Sequence, residues 1–263
     1  MKIKNIVILF IFAATVGFKS QNHSAFQVGE QFVFKINYEF INAGYATLEV
    51  KEAIINNNNV FHVIGKGFTT GVTKLFFKVE DTYESYIDKD TGNPYQFIRK
   101  IDEGGYIKNQ EGFFNQTENK ILVKDYKYKT ENTFSIPRNT QDILSSFYYL
   151  RNYPNIDKMK SGEFVAIDMF FDGNTTKCRL RFIGRENIKT KFWVLSTMIF
   201  IPFVQTGRVF KEEESITIWI SDDSNRLPVR VKANLLVGSI RADLDGYKGL
   251  KYPFVLKKNK RNW

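Results

Sequence analysis

The chain has 263 residues, of which 43% are hydrophobic, 16% aromatic and 25% charged, with one cysteine, two histidines and a formal net charge of +10. That apolar fraction excludes a disordered chain and allows a sizeable core. One sulfur excludes a disulfide framework and a thiolate zinc cage, two histidines exclude catalysis by several imidazoles, and the 25 phenylalanines and 13 tyrosines dominate what is left.

Residues 1–20 are laid out as a secretory signal, with Lys2 and Lys4, an apolar run from Ile6 to Phe18, and then polar Lys19-Ser20-Gln21-Asn22. About 13 apolar residues fall short of the roughly 20 that span a bilayer, so cleavage, after Ser20, is expected rather than a transmembrane anchor. No cysteine lies near this boundary, which excludes lipid attachment there. A periplasmic or secreted location follows. Removing Lys2, Lys4 and Lys19 takes the charge from +10 to +7. The remaining lysines are dispersed among acids, apart from Lys257-Lys258-Asn259-Lys260-Arg261, which reads as a solvated tail. Nucleic acid is not an expected partner.

Residues 21–263 read as one β-rich domain with a basic tail over 251–263. Phe32, Phe34, Ile36, Tyr38 and Phe40 alternate with Val33, Lys35, Asn37 and Glu39, placing five large groups on one strand face. The same period recurs through Ala46, Leu48 and Val50, through Val165, Ile167, Met169 and Phe171, through Ile216, Ile218 and Ile220, and through Val229 to Val237. Turn-forming clusters separate these runs at 56–59, 88–94, 103–105, 172–174 and 222–225. About a dozen hairpin-linked strands are predicted, forming a large curved antiparallel sheet, a half-barrel or open barrel. One segment changes period: Ile143, Phe147 and Leu150 share a helical face, predicting a single central helix over about 139–153, capped by Asn139 or Thr140, stopped by Pro154 and packed on the sheet.

Chemistry-bearing residues are sparse. His62 reads as a partly buried strand histidine and Cys178 as a buried, inert thiol, although its arginine neighbours would activate it if exposed. The acids Glu80, Asp81 and Glu84, then Asp102 and Glu103, then Asp222 and Asp223, are candidates for acid–base pairs, though the last two groups read first as turns. There is no phosphate-binding glycine loop, dinucleotide fingerprint or nucleophile elbow, and no metal or cofactor is expected. The aromatic face is either a core or the wall of a cavity for an apolar ligand, lined by Phe32, Phe34, Ile36 and Tyr38 with Phe147 and Tyr148 from the helix.

Several strings also carry a resemblance. They are Thr69-Thr70-Gly71, Asp81-Thr82-Tyr83-Glu84-Ser85-Tyr86, Glu103-Gly104-Gly105-Tyr106, the stretch Gln141 to Arg151, Gly207-Arg208-Val209-Phe210, and Ile218-Trp219-Ile220-Ser221 running through Asp222, Asn225 and Arg226 to Pro228. In this order they resemble an exported bacterial family called domain of unknown function 3108, over about residues 26–250. The resemblance implies a Gram-negative envelope protein without an assigned reaction, and its build is similar to the half-barrel of lipoprotein carriers. Most of these residues have structural readings, with Asp142 at the helix start and Arg151 in its last turn, each complementing the helix dipole. The leading expectation is a non-enzymatic envelope protein that binds a lipid or other apolar ligand. The alternatives are an assembly factor that binds a protein partner, and a hydrolase using Glu80, Asp81, Glu84 or Glu103.

Overall fold

The computed structural model describes residues 24–204 and 216–254. The predicted signal, His23, Gly207-Arg208-Val209-Phe210 and the basic cluster 257–261 lie outside the described residues. Fourteen strands form in chain order: β1 (Gln31–Tyr38), β2 (Ile41–Ile55), β3 (Asn58–Thr69), β4 (Glu80–Asp88), β5 (Pro94–Glu103), β6 (Tyr106–Asn115), β7 (Lys120–Asp125), β8 (Thr130–Ser135), β9 (Phe164–Phe171), β10 (Asn174–Lys189), β11 (Val194–Val204), β12 (Ile216–Ser221), β13 (Pro228–Asn234) and β14 (Ser239–Lys248). A short helix α1 (Gly71–Phe76) joins β3 to β4, and α2 (Ile143–Arg151) followed by a 3-10 turn (Ile156–Lys158) joins β8 to β9.

All fourteen strands belong to one sheet, in the order β8 to β1, then β14 to β9. Every ladder is antiparallel. The sheet is therefore a meander whose first and last strands pair, with Phe32 opposite Tyr247. No ladder joins β8 to β9. The chain itself occupies that gap: the Gln141 N–H donates to the Asp168 carbonyl (2.8 Å), and the Phe170 N–H donates to the Gln141 carbonyl (2.8 Å). These two bonds satisfy part of the free β9 edge, which would otherwise invite pairing with another chain.

The predicted alternation holds within strands and fails at their ends. Phe32 and Phe34 are buried, but β1 stops at Tyr38, and Phe40 sits in the following turn, 98% exposed. Glu39 has a φ of 50°, which breaks the extended phase. Likewise β13 ends at Asn234, so Leu235 and Val237 project from a turn instead of extending the strand face. In β9 the expected phase holds for Val165 and Ile167 and then changes. Phe170 is buried while Met169 and Phe171 are only half-buried, because the Phe170 ring packs across the gap on Phe97 and Phe134.

The helix is shorter than its periodicity suggested, and it is not the only one. α2 has nine residues and is capped by Asp142, not by Asn139 or Thr140. Asn139 adopts a φ of 60°, and Thr140 turns its hydroxyl back to the Pro137 carbonyl (2.7 Å). The Asp142 carboxyl accepts the N–H groups of Leu144 (2.8 Å) and Ser145 (2.9 Å), and the Asp142 N–H donates to the Ser145 hydroxyl (2.8 Å), which closes a capping box. Leu150 enters a core formed by β9–β12 with Ile167, Phe182, Met198, Phe200 and Ile220. Tyr148 enters a second core with Phe26, Val50, Val63 and Ile87.

Arg151 fixes the other end of α2. Its guanidinium is wholly buried and meets the equally buried Glu30 through Nη1–Oε1 (2.5 Å) and Nη2–Oε2 (2.8 Å). Nε and Nη2 also donate to the Asn225 carbonyl (3.2 and 2.9 Å) and Nη2 to the Ala25 carbonyl (3.2 Å), and the rings of Phe26, Phe32 and Tyr148 surround it. Removing one member of such a pair strands a buried charge and costs about 3–5 kcal/mol. Arg151→Met should therefore lower the urea unfolding free energy by about that amount, while Glu30→Gln/Arg151→Met together should recover most of it. A loss below about 1 kcal/mol in the single variant would contradict this assignment.

Candidate functional site

One cavity lies on the inner face of β4–β8, closed by the start of α2 and the end of β9, with a volume of about 200 Å3. Strand parity explains its lining. Tyr83 pairs with Arg99, Ser85 with Phe97, Arg99 with Gln110, and Gly112 with Val123, so successive inward positions meet across neighbouring strands. Gly112 is required here, since a Cβ at that position would lie 2.2 Å from the Phe97 ring. The apolar part of the wall is Phe97, Val123, Phe134, Phe170, Ile143 and Leu144.

The polar part is built around Arg99, only 7% exposed. Its guanidinium lies over Phe171 (4.4 Å) and Tyr83 (5.6 Å), and Nη1 donates to Asp172 (2.7 Å). Lys108 donates to the same Asp172 oxygen (2.5 Å). Burial opposes ionisation of Asp172, but Lys108 and Arg99 together outweigh it and hold its pKa below the ordinary carboxylate value. Burial likewise raises the Tyr83 phenol, against the pull of Arg99. Arg99 Nε is buried without a hydrogen-bond partner among the described residues, an expensive state for a charged group. Gln110 and Asp125, bonded to one another (2.8 Å), complete this end with Thr130 and Asn132.

Asp142 lines the same cavity from the helix start and accepts the Ser85 hydroxyl (2.6 Å). Burial raises its pKa to about 6, against the hydrogen bonds from Ser85, Ser145 and Leu144 that favour the anion. A second, wider cavity of about 510 Å3 lies beside Phe26, Phe61, Tyr148 and Tyr149, bordered by the polar Asp88–Gly92 turn and Arg226.

The residues singled out in the sequence separate into distinct places. Phe32 and Phe34 pack with Leu227 and Leu244 in a filled core and line neither cavity. Ile36 is half-buried and Tyr38 exposed at the strand end. Phe147 packs edge-on against Tyr148, and Tyr148 lines the wider cavity. Glu84 borders the first cavity, but its carboxylate turns to His62 (2.7 Å), whose ring stacks on Tyr86 at 4.2 Å. Glu80 meets Lys74 and Lys78. Asp81 instead turns inward: burial, then a hydrogen bond with Glu103, raises its pKa to about 6, while it also accepts the Asp102 N–H (3.1 Å). A carboxyl pair in direct contact leaves no room for a bond to be cut between them, where glycosidases need about 5–9.5 Å. Cys178 is half-buried, which pushes its thiol pKa up.

The remaining motif residues hold the frame. Ser85 and Asp142 anchor the start of α2, and Arg151 and Asn225 its end. The Asn225 side chain bonds the backbone of Tyr252 in both directions (3.0 Å each). Arg226 donates to the carbonyls of Arg151 (2.7 Å) and Tyr153 (3.2 Å), closing the helix C-terminus. Asp222 meets Arg185 (3.2 Å), Trp219 donates to Glu186 (2.5 Å), and Tyr106 is exposed beyond β5. Sequence reading missed the cavity residues Phe97, Arg99, Val123 and Phe134. The available signal was a set of polar residues, Arg99, Gln110 and Asp125, in phase with inward aromatics.

An open antiparallel meander whose gap is occupied by the segment leading into its own helix defines a class of barrel-like β protein. The chain belongs to the family described as protein of unknown function DUF3108, whose model matches residues 33–245. Among solved structures it is similar to a β-barrel-like protein of domain of unknown function DUF1849 from Brucella abortus, with a TM-score of 0.58 and 11% identity over 84% of this chain and 97% of that one. A candidate lipoprotein from Parabacteroides distasonis (TM-score 0.34, 13% identity, 84% and 96% covered) and a candidate exported protein with a YmcC-like fold from Bacteroides fragilis (0.30, 11%, 84% and 96%) align more loosely. No curated protein matches the chain.

The raised pKa of Asp142 has a consequence for stability. An acid that is harder to ionise when folded contributes stability below its unfolded pKa near 4 and loses it as pH rises through about 6. Asp142→Asn keeps a good N-cap acceptor without that titration. Urea unfolding between pH 4 and pH 8 should show wild type losing stability relative to D142N through that interval, and a constant difference would refute the assignment.

Proposed function

We propose that this is a non-enzymatic envelope protein, exported by the signal at 1–20, which holds a small amphiphile in the cavity beneath β4–β8. The observation that carries this reading is a chamber with an aromatic wall and, at its polar end, a buried Arg99 held by Asp172. Phe97, Val123, Phe134 and Phe170 offer no polar group to a guest, and the buried Arg99 Nε has no hydrogen-bond partner among the described residues. An acidic head group would satisfy that N–H and complement the charge, while the chain of the same molecule displaced water from the aromatic wall.

The volume limits the guest. About 200 Å3 exceeds the roughly 150 Å3 of an apolar cavity that accepts benzene and is below the range of about 300–1,000 Å3 for drug-sized ligands. The occupant is a short acyl chain, or the end of a longer one. The dispersal of Glu80, Glu84 and Asp81 over two faces supports binding over hydrolysis.

Calorimetric titration with octanoate and 1-octanol tests the reading. Both should bind, Arg99→Met should weaken octanoate about tenfold while changing octanol less than about twofold, and Leu144→Trp should remove both by filling the chamber. Failure of the natively folded protein to bind either compound would overturn it.

A further inference from the structure

The two ends of the sheet differ in chemistry. Antiparallel pairing places the β1–β2, β5–β6, β7–β8, β9–β10 and β13–β14 turns at one end, together with the α1 segment between β3 and β4. The turns of the opposite end read Asn56-Asn57, Asp88–Asn93, Gln116–Asn119 and Asp222–Asn225, with exposed apolar groups scattered there singly, as at Ile54 and Trp193. The first end instead projects Phe40 (98% exposed), Leu75 (84%), Phe76 (86%) and Leu236 (105%) from three separate segments. None of α1 is buried, so this helix is not held in place by a core of its own. Apolar exposure on this scale, gathered at one end, marks a contact surface.

We propose that this end docks on the surface of an anionic lipid bilayer, inserting Phe40, Leu75, Phe76 and Leu236 among the acyl chains. The tips stand on separate turns, as insertion into a fluid layer permits. Beside them lies the chemistry of an interface: exposed Tyr106, Tyr126 and Tyr128, with Lys127 over the rings of Tyr106 and Tyr128. Amphipathic rings and long cationic side chains favour the head-group layer. The charge is complementary as well. Glu80 and Asp102 engage Lys74 and Lys78, but Lys127 and Lys129 have no carboxylate partner among the described residues. Glu39, Glu103, Asp125, Glu131 and Asp172 also reach this end, but Glu103 is bonded to Asp81, Glu131 to Lys124, and Asp172 to Arg99 and Lys108, while Asp125 accepts the N–H groups of Lys127 and Tyr128. The basic β7–β8 turn would therefore face anionic phosphates. The cavity reaches the same end through Asp125, Thr130 and Asp172, although docking does not depend on what the cavity holds.

Vesicle co-sedimentation of the purified exported protein, comparing phosphatidylethanolamine/phosphatidylglycerol with pure phosphatidylcholine, tests this. The protein should pellet preferentially with the anionic vesicles. Phe76→Ser/Leu236→Ser should lower the bound fraction about tenfold, Lys127→Glu/Lys129→Glu should abolish the preference for anionic lipid, and Ile54→Ser at the opposite end should change neither. No binding by natively folded protein, or binding unaffected by the tip substitutions, would overturn the proposal. Conversion of a dimer to a monomer by Phe76→Ser/Leu236→Ser in vesicle-free sedimentation would also overturn it, by assigning the surface to a protein contact.

Discussion

The buried Arg151–Glu30 pair is the constraint on which the rest of the arrangement depends. Stripping water from both ions costs several kcal/mol each, and their attraction offsets this only if the geometry is good and every remaining N–H finds an acceptor. The pair is bidentate, and the carbonyls of Asn225 and Ala25 take further guanidinium protons from Nε and Nη2. Three segments far apart in sequence are tied at one point: the lead into β1, the end of α2 and the β12–β13 turn. An apolar replacement could pack there with similar energy but would accept small rotations of the helix, whereas a bidentate pair does not. The pair specifies where α2 sits more than it adds stability.

Where α2 sits decides what the concave face can be. With its end held by Arg151 and its start by Asp142 on Ser85, the helix lays Leu150 on β9–β12 and Tyr148 on the aromatic core beside β2–β4. Those contacts fill part of the space that a curled sheet of this length would enclose. Free volume remains where the first turn of the helix meets β4–β8 and in the wider cavity beside Tyr148 and Tyr149. Around Phe32 and Phe34 the aromatic load is core, whereas on the β5–β8 side and at Phe26, Phe61 and Tyr149 it is a wall.

Much of the sheet was legible because period two is a local property. Phe32 with Phe34, and Val165 with Ile167, announce their own faces. The alternation did not show where it ends. Phe40 and Leu235 continue the apolar phase on paper, and only the positive φ of Glu39 and Gly238 takes them out of the sheet. The cap was misplaced for a similar reason. Asn139 and Thr140 have the chemistry of cap residues, but Gln141 is committed to the β9 edge, so the helix cannot begin before Asp142. Pairings such as Glu30 with Arg151, or Phe97 with Phe170, join positions 121 and 73 residues apart and leave no trace in spacing. Most of the motif strings have structural readings from the sequence alone, and in the structure Ser85, Asp142, Asn225 and Arg226 sit at the two ends of one helix.

The cavity is also polarised along its length, and that fixes how an amphiphile would lie in it. Arg99 pairs with Tyr83, and Asp142 meets Ser85, two residues further along β4 and so about 7 Å deeper from the apolar end. A carboxylate beside Asp142 would put two acids together in a dry space, a cost that grows as Asp142 ionises. Beside Arg99 the same carboxylate also nears Asp172, but there Arg99 and Lys108 supply two cations, Arg99 Nε has no partner among the described residues, and Asp172 and Thr130 border the surface. The head group therefore belongs at the shallow end and the chain at the deep end, against Phe97, Leu144 and Phe170. A guest in that orientation enters tail first from the end that carries Phe76 and Leu236, and leaves its charged group nearest the water.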